Sequence, residues 1–189
     1  MYEGKIFQAV RFASEKHKHQ KRKVSGHSYI VHPMMVYHMT SLYSEDENTL
    51  IAALLHDTVE DTDTELEEIE ENFGPQVREY VDILSEDKSL PWVERRKVYT
   101  KGFESAPQQV LLIKTADVFY NLSDMLYTAK SHPEKSLLGS TYPELWIDLK
   151  SDEIEIIKRA WKENPLLERV EKVFSELCLE LEKLKEKTV

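Results

Sequence analysis

The chain has 189 residues, 41% of them hydrophobic and 32% charged, which is enough to bury a core without covalent or metal staples and is the balance of an ordinary globular protein. Its net charge of −10 argues against a general nucleic-acid binder, because such domains carry a basic face. A single cysteine, Cys178, excludes a disulfide framework, no apolar run approaches the ~20 residues that span a bilayer, and the opening MYEGKIFQAV has no signal-peptide pattern; together these point to a reducing, cytoplasmic setting.

The five glycines are scattered, so neither common type of glycine-rich phosphate loop can be written, and no alternating segment carries hairpin turn signals. Helical periodicity prevails instead. Residues 2–19 place Tyr2, Ile6, Ala9, Val10, Ala13 and His17 on one helical face. A turn follows at Val24-Ser25-Gly26-His27, and His32-Pro33 opens a second helix, proline being suited to a first turn. Ser44 with Glu47 has the capping-box pattern before a third helix over 50–57, and Thr64 with Glu67 repeats it for a fourth that ends near Gly74. Pro75 starts a fifth helix. After a polar loop at 85–90, Pro91 opens another, and Pro107 opens a long one reaching about Ala129. Residues 131–141, with His132-Pro133, Gly139 and Ser140, read as a loop. Two more helices fit 143–163 and 166–186, separated by Asn164-Pro165. The pattern predicts an all-α fold in a single domain, residues 1–189, with the helices of about 143–186 packed on the rest.

In the last helix Val170, Phe174, Leu177, Leu181 and Leu184 form a short heptad-like stripe, which is expected to dock on the domain rather than to pair two chains. Trp92, Trp146 and Trp161 are expected to anchor helix packing, and Cys178 to be a packing residue.

Two helices stand apart. Residues 50–55, Leu-Ile-Ala-Ala-Leu-Leu, are apolar all round, as is much of 110–122, and such helices belong at the centre of a fold. The first nevertheless runs into His56-Asp57, and the second contains Asp117. A carboxylate on a buried helix must be paired, hydrogen-bonded or bound to metal. With His32 at the head of another short apolar helix, two imidazoles and two carboxylates make a site for a divalent transition metal, and the lack of thiolates argues against a closed structural zinc site. Manganese or iron suits this donor set better than zinc. Each residue taken singly has a plainer explanation: Lys114 could pair with Asp117 on a helix surface, His56 could bond a core carbonyl, and His32 could cap a helix. Glu60 and Asp61 follow Asp57 by three and four positions, so a continuing helix places them on its face; crowded carboxylates of this kind suit acid-base work. Asp63 reads as an acidic residue before the next helix.

Charge is also uneven. Residues 16–23, Lys-His-Lys-His-Gln-Lys-Arg-Lys, form a basic island in an acidic chain, which is either a solvated helix end or a local anion site.

His32, His56-Asp57 and Asp117 match the H…HD…D pattern of the HD phosphohydrolase superfamily. The flanking stretches His17-Lys-His-Gln20, Arg22-Lys23, Ser25-Gly26, Tyr29-Ile-Val-His32-Pro33, Ala53-Leu-Leu-His-Asp-Thr-Val-Glu-Asp-Thr62, Phe73-Gly74, Asp87-Lys88 and Lys114-Thr-Ala-Asp117 with Tyr120-Asn121-Leu122 closely resemble the hydrolase domain of RelA/SpoT-type enzymes. The resemblance covers roughly residues 5–130, the motif-bearing core, and at this length the chain is similar to a stand-alone small alarmone hydrolase. It implies an all-α HD fold, usually with manganese, and removal of the 3′-pyrophosphate of ppGpp or pppGpp to give GDP or GTP plus pyrophosphate. His32, His56, Asp57 and Asp117 are then the implied metal ligands. Glu60 and Asp61 orient or deprotonate water and assist the leaving group, in an unassigned order. Arg22, Lys23, Tyr29 and Asn121 are the implied nucleotide contacts. Arg22 could also lay its guanidinium over a purine. The expected partner is a small-molecule nucleotide, with no nucleic acid and no membrane; the sequence sets no oligomeric state.

The chain departs from the family pattern at Val118 and Ser123, where basic residues are common, at the extra Val24, and at His27-Ser28. Val118 and Ser123 are expected to remove two cations from near the site, which leaves other substrates open: an adenosine alarmone, NADPH acted on by a phosphatase, or a nucleotidase substrate. A non-catalytic nucleotide sensor on the same scaffold is the reading from a different class; it predicts loss of a ligand or of Glu60-Asp61, and neither is lost.

Overall fold

The computed structural model describes residues 4–22, 25–136 and 143–188. Within them the chain forms helices α1 (Lys5–Lys16), α2 (Val31–Ser41), α3 (Glu47–Leu55), α4 (Thr58–Asp61), α5 (Leu66–Phe73), α6 (Pro75–Leu84), α7 (Trp92–Gly102), α8 (Gln108–Ser131), α9 (Pro143–Ala160) and α10 (Leu167–Thr188). Short 3-10 turns follow α7 at Phe103–Ser105 and α8 at Pro133–Lys135. Among the described residues the only β pairing is one antiparallel bridge, Lys21 to Ser28, so the all-α expectation holds. Val24, Gly139 and Ser140 lie outside the described residues.

The two helices that are apolar all round form the centre. Every residue of α3 from Thr49 to Leu55 is buried, as is every residue of α8 from Val110 to Val118. Around α3 pack α1, α2, α6 and α8, and α10 lies along α8. The α10 stripe faces inward, with Val170, Leu177 and Leu181 buried and Phe174 and Leu184 partly so. Trp146 and Trp161 pack against the core, but Trp92 is 40% exposed and is not among the residues packed on it.

Both capping boxes are displaced. The N-cap of α3 is Asp46, whose carboxylate accepts from the Thr49 amide (2.8 Å) and hydroxyl (2.6 Å); Ser44 merely accepts from the Asp46 amide at 3.3 Å. Aspartate caps as well as serine and adds charge that favours the helix N-terminus, so the start moves two residues on. Helix α5 begins after Glu65 without a side-chain cap, because the Thr64 hydroxyl is engaged with that of Thr62 at 2.7 Å.

The third helix also stops short of Asp57. The Thr58 hydroxyl donates to the Leu55 carbonyl (2.7 Å), and His56 Nδ1 donates to that of Ala53 (2.8 Å). Two side chains thus take over carbonyls at the end of α3, and the chain turns at His56-Asp57 before α4 resumes.

Asn164, buried between α9 and α10, ties the C-terminal helices to α8: its Nδ2 donates to the Thr115 hydroxyl at 2.7 Å, and its Oδ1 accepts from the Leu166 amide at 3.1 Å. Replacing it by alanine leaves a buried amide without its partner. Asn164→Ala is therefore expected to cost about 1–3 kcal/mol in urea unfolding without changing the helical circular dichroism spectrum; an unchanged midpoint would show that the contact contributes nothing.

Candidate metal centre and active site

The central helices and α2 bring the four expected ligands together. His32 comes from the first turn of α2, His56 and Asp57 from the break after α3, and Asp117 from the middle of α8. His32 Nε2 lies 3.0 Å from His56 Nε2, 3.1 Å from Asp57 Oδ2 and 3.3 Å from Asp117 Oδ1, and His56 Nε2 lies 3.2 Å from Asp57 Oδ2. One ligand atom each from His32, His56 and Asp57 falls within a 4.8 Å sphere of mutual distances. The donors fit a divalent metal. Two imidazoles and two carboxylates point inward, and the His56 bond to the Ala53 carbonyl puts its proton on Nδ1, which directs the Nε2 lone pair at the centre. The plainer explanation of His56, a core histidine bonded to a carbonyl, thus describes the bond that orients it.

The electrostatics show how much the cluster attracts positive charge. Burial alone would lower the His56 pKa, but the adjacent Asp57 carboxylate outweighs it and lifts the imidazole to about 9. Burial opposes ionisation of Asp57 and Asp117 as well. It is overcome at Asp57 by His56 and His32, and at Asp117 by Lys114 and His32, so both carboxyls sit well below their usual range.

Lys114 is no surface partner. It is 4% exposed, 2.8 Å from Asp117 Oδ2 and 3.1 Å from Glu153 Oε1, with its ammonium 4.9 Å from the Tyr99 ring centre. Asn121 Nδ2 donates to Asp117 Oδ1, so both oxygens of that carboxylate are oriented by α8 itself.

Glu60 and Asp61 stand beside the cluster on α4. The Tyr29 hydroxyl lies 2.6 Å from Asp57 Oδ2 and 3.1 Å from Asp61 Oδ2, and Lys88 Nζ reaches Asp61 Oδ1 at 3.0 Å. Glu60 accepts from the Glu86 amide at 3.2 Å. Burial, then the negative charges of Asp57 and Glu86, raise the Glu60 carboxyl to about 7.

Arg22 is held by the protein. It donates to Asn121 Oδ1 at 2.7 Å and pairs with Asp124 at 3.3 Å, and its guanidinium carbon is 5.7 Å from the Tyr29 ring centre and 5.5 Å from that of Tyr120. It does not stand free for a purine. Tyr29 touches the carboxylates, Asn121 touches Asp117 and Arg22, and Lys23 lies outside the described residues. Asp63 keeps the role expected of it, exposed and paired with Lys16 at 3.4 Å.

His32, His56, Asp57, Asp117, Glu60 and Asp61 open on one pocket of about 620 Å³, as do Arg22, Tyr29, Lys114 and Asn121. Sequence reasoning missed its far wall. Helices α7 and α9 supply Trp92, Arg95, Arg96, Trp146 and Lys150, of which the sequence singles out only the two tryptophans, as packing anchors. The only signal was Glu-Arg-Arg at 94–96 and the i, i+3 pair Lys150 and Glu153, and patterns like these are common on solvated helices. Val118, by contrast, is wholly buried in the core, and Ser123 bonds the Phe119 carbonyl; neither lines the pocket.

Asp57 belongs to the ligand cluster and is bonded by Tyr29, so Asp57→Ala is expected to abolish stoichiometric divalent-metal binding, measured by elemental analysis after gel filtration, with the helical fold retained. Undiminished metal content would place the ion elsewhere.

Comparison with known proteins agrees with this geometry. The HD domain family matches residues 9–149. The chain is 45% identical over 123 residues to the guanosine-3′,5′-bis(diphosphate) 3′-pyrophosphohydrolase MESH1 of Xenopus tropicalis, covering 64% of this chain and 69% of that one. It is 39% identical over 139 residues to the guanosine-3′,5′-bis(diphosphate) 3′-pyrophosphohydrolase of Aquifex aeolicus, covering 72% of this chain and 20% of that one. A solved structure of a metazoan SpoT orthologue, described as hydrolysing ppGpp, superposes with a TM-score of 0.77 at 28% identity over 93% of this chain and 97% of that one. With three quarters of its length inside the family match and the H…HD…D ligands gathered in one pocket, the chain belongs to the HD domain family.

Proposed function

We propose that the protein is a metal-dependent hydrolase that removes the 3′-pyrophosphate of ppGpp or pppGpp, yielding GDP or GTP and pyrophosphate. The observation that carries this reading is the convergence of His32, His56, Asp57 and Asp117 with Glu60 and Asp61 in one pocket, on a chain 45% identical to a 3′-pyrophosphohydrolase of that nucleotide. Manganese is the metal we assign, on the mixed nitrogen and oxygen donors, and the cytoplasm the compartment, on the single free cysteine. No helix among the described residues is long and apolar enough to cross a membrane.

His32, His56, Asp57 and Asp117 would hold a divalent ion, which would supply positive charge to polarise a phosphoryl oxygen and acidify water. The chain's own groups do the rest. Water attacks the phosphorus joined to the 3′-oxygen, the P–O bond to that oxygen breaks, and the oxygen takes a proton. Asp61 Oδ1 is paired with Lys88 at 3.0 Å, and its Oδ2 lies 3.1 Å from the Tyr29 hydroxyl, whose single proton has the nearer acceptor in Asp57 Oδ2 at 2.6 Å. Glu60 has one oxygen on the Glu86 amide and its other 4.0 Å from Lys88, and a carboxylate near 7 is matched to proton abstraction at neutral pH. We assign Glu60 as the base and Asp61 as the group that orients the reactants. Arg95, Arg96, Lys88 and Lys150 give a polyanion the counter-charge that a protein of net charge −10 otherwise lacks.

Purified protein with manganese is expected to convert ppGpp to GDP and intact pyrophosphate, resolved by anion exchange, with Asp57→Ala inactive. NADPH and GTP run in parallel: release from either of these but none from ppGpp keeps the metal chemistry and refutes the substrate, and no product from any supports a non-catalytic sensor. A base works only when deprotonated, so kcat is expected to rise as pH passes through about 7 and to lose that limb in Glu60→Gln. A falling limb there instead makes Glu60 the acid.

A further inference from the structure

Glu153 is wholly buried on α9, outside the ligand set and outside the family-like core of about 5–130. Three cations converge on its carboxylate. Lys114 Nζ lies 3.1 Å from Oε1, while Arg96 at 3.4 Å and Lys150 both reach Oε2. Each of these has a second attachment. Lys114 pairs with Asp117 Oδ2 at 2.8 Å, Arg96 pairs with Glu86, and Lys150 lies over the Trp146 ring at 5.7 Å. Glu86 in turn gives its amide to Glu60 Oε2.

Two arms therefore leave one carboxylate. One runs through Lys114 to Asp117, a member of the metal cluster. The other runs through Arg96 and Glu86 to Glu60. We propose that Glu153 is a positioning residue for the hydrolysis: its single negative charge holds Lys114, Lys150 and Arg96 in the pocket wall and keeps the surroundings of the metal cluster negative enough to retain a divalent cation. The inference deepens the proposed function and rests on it for its kinetic part alone.

The electrostatic argument is direct. Lys114, Lys150, Arg95 and Arg96 carry four positive charges at the back of the pocket; Glu153, Asp117 and Glu86 carry three negative ones. Without Glu153 the wall gains one further unit of positive charge, Lys150 loses its ion partner, and Lys114 has Asp117 as its remaining carboxylate, so the ammonium competes harder with a metal for that ligand. In a low-dielectric interior one unit charge acts strongly on a divalent ion, and removing it is expected to weaken binding at least about tenfold. The neighbouring Asp152 and Glu155 on α9 are exposed, where water screens them, and carry no such role.

The test uses the full chain and Mn2+ alone as probe, by titration calorimetry, with kcat and KM on ppGpp as a second readout. Glu153→Gln, close in volume, is expected to lower Mn2+ affinity at least about tenfold and to lower kcat more than it raises KM. Glu153→Asp, which keeps the charge, is expected to recover most of the affinity. So is the double variant Glu153→Gln with Lys150→Met, which removes one cation with the anion. Glu155→Gln, the same charge change on an exposed position of α9, should leave Mn2+ affinity within about twofold, because exposed charges are screened. Wild-type Mn2+ affinity in Glu153→Gln overturns the proposal, and so does an equal loss in the double variant, since that is what a packing role alone produces. If Glu153→Gln does not fold, Glu153→Asp and the double variant decide: affinity near wild type in both supports charge balance, and loss in both overturns it. A silent ppGpp assay alongside a fall in Mn2+ affinity refutes the proposed substrate and leaves the role of Glu153 standing.

Discussion

The structure depends on holding two ionised carboxylates, Asp57 and Asp117, against the two most buried helices of the fold. An isolated charge there is prohibitively unfavourable, and a buried ion pair recovers its desolvation cost only when its remaining lone pairs are also satisfied. The molecule meets that requirement redundantly. Asp117 has Lys114 on one oxygen and Asn121 on the other, one helical turn away on either side. Asp57 has the Tyr29 hydroxyl and the imidazoles of His32 and His56. The wholly apolar faces of α3 and α8 fix where these groups sit, because neither helix can rotate without exposing core surface.

A second constraint gives the site its shape. Had α3 run on to Asp57, the aspartate, Glu60 and Asp61 would share one helical face. The Thr58 hydroxyl and the His56 imidazole instead accept the task of bonding the Leu55 and Ala53 carbonyls, and the helix ends. His56 thereby performs two functions with its two nitrogens: Nδ1 closes the helix, and Nε2 faces the cluster. The break turns Asp57 toward His32, while α4, beginning again at Thr58, carries Glu60 and Asp61 to the pocket side, where Lys88 and the Glu86 amide meet them.

What could be read from the sequence follows the same logic. The cluster of four candidate ligands was legible because His56-Asp57 and Asp117 contradict the apolar stretches that contain them, and a contradiction of that kind has few physical resolutions. The all-α architecture was legible because proline and the apolar period mark most helix starts. The capping boxes misled by one to two residues, since Asp46 takes the role that Ser44 was expected to fill and the Thr64 hydroxyl is bonded to that of Thr62. The wall formed by α7 and α9 was illegible for a different reason. Arg95, Arg96, Lys150 and Glu153 sit on helices rich in charge, and nothing in a one-dimensional pattern tells an inward charged face from a solvated one. The plainer alternative for Asp117, a surface pair with Lys114, could not be dismissed from sequence on the same ground: an i, i+3 pair looks identical on a surface and in a core.

That wall also resolves an apparent conflict in the composition. A chain of net charge −10 with a polyanionic substrate needs concentrated cations, and the basic island at 16–23 suggested where they would be. The structure divides the island. Lys18 turns to Glu15 and Lys16 to Glu68, both on the outside, while Arg22 is fastened to Asn121 and Asp124. Arg22 still lines the pocket, as does Lys21, and further cations face it from α7, α8 and α9, each of them fixed by a carboxylate: Arg95 by Glu86, Lys114 by Asp117, Lys150 by Glu153. Cations held in this way keep their positions whether or not an anion is bound, so little reorganisation is needed when one arrives. The acidic residues that line or underlie the pocket are thus part of how an acidic protein holds a polyanion: they position the positive charge that does so.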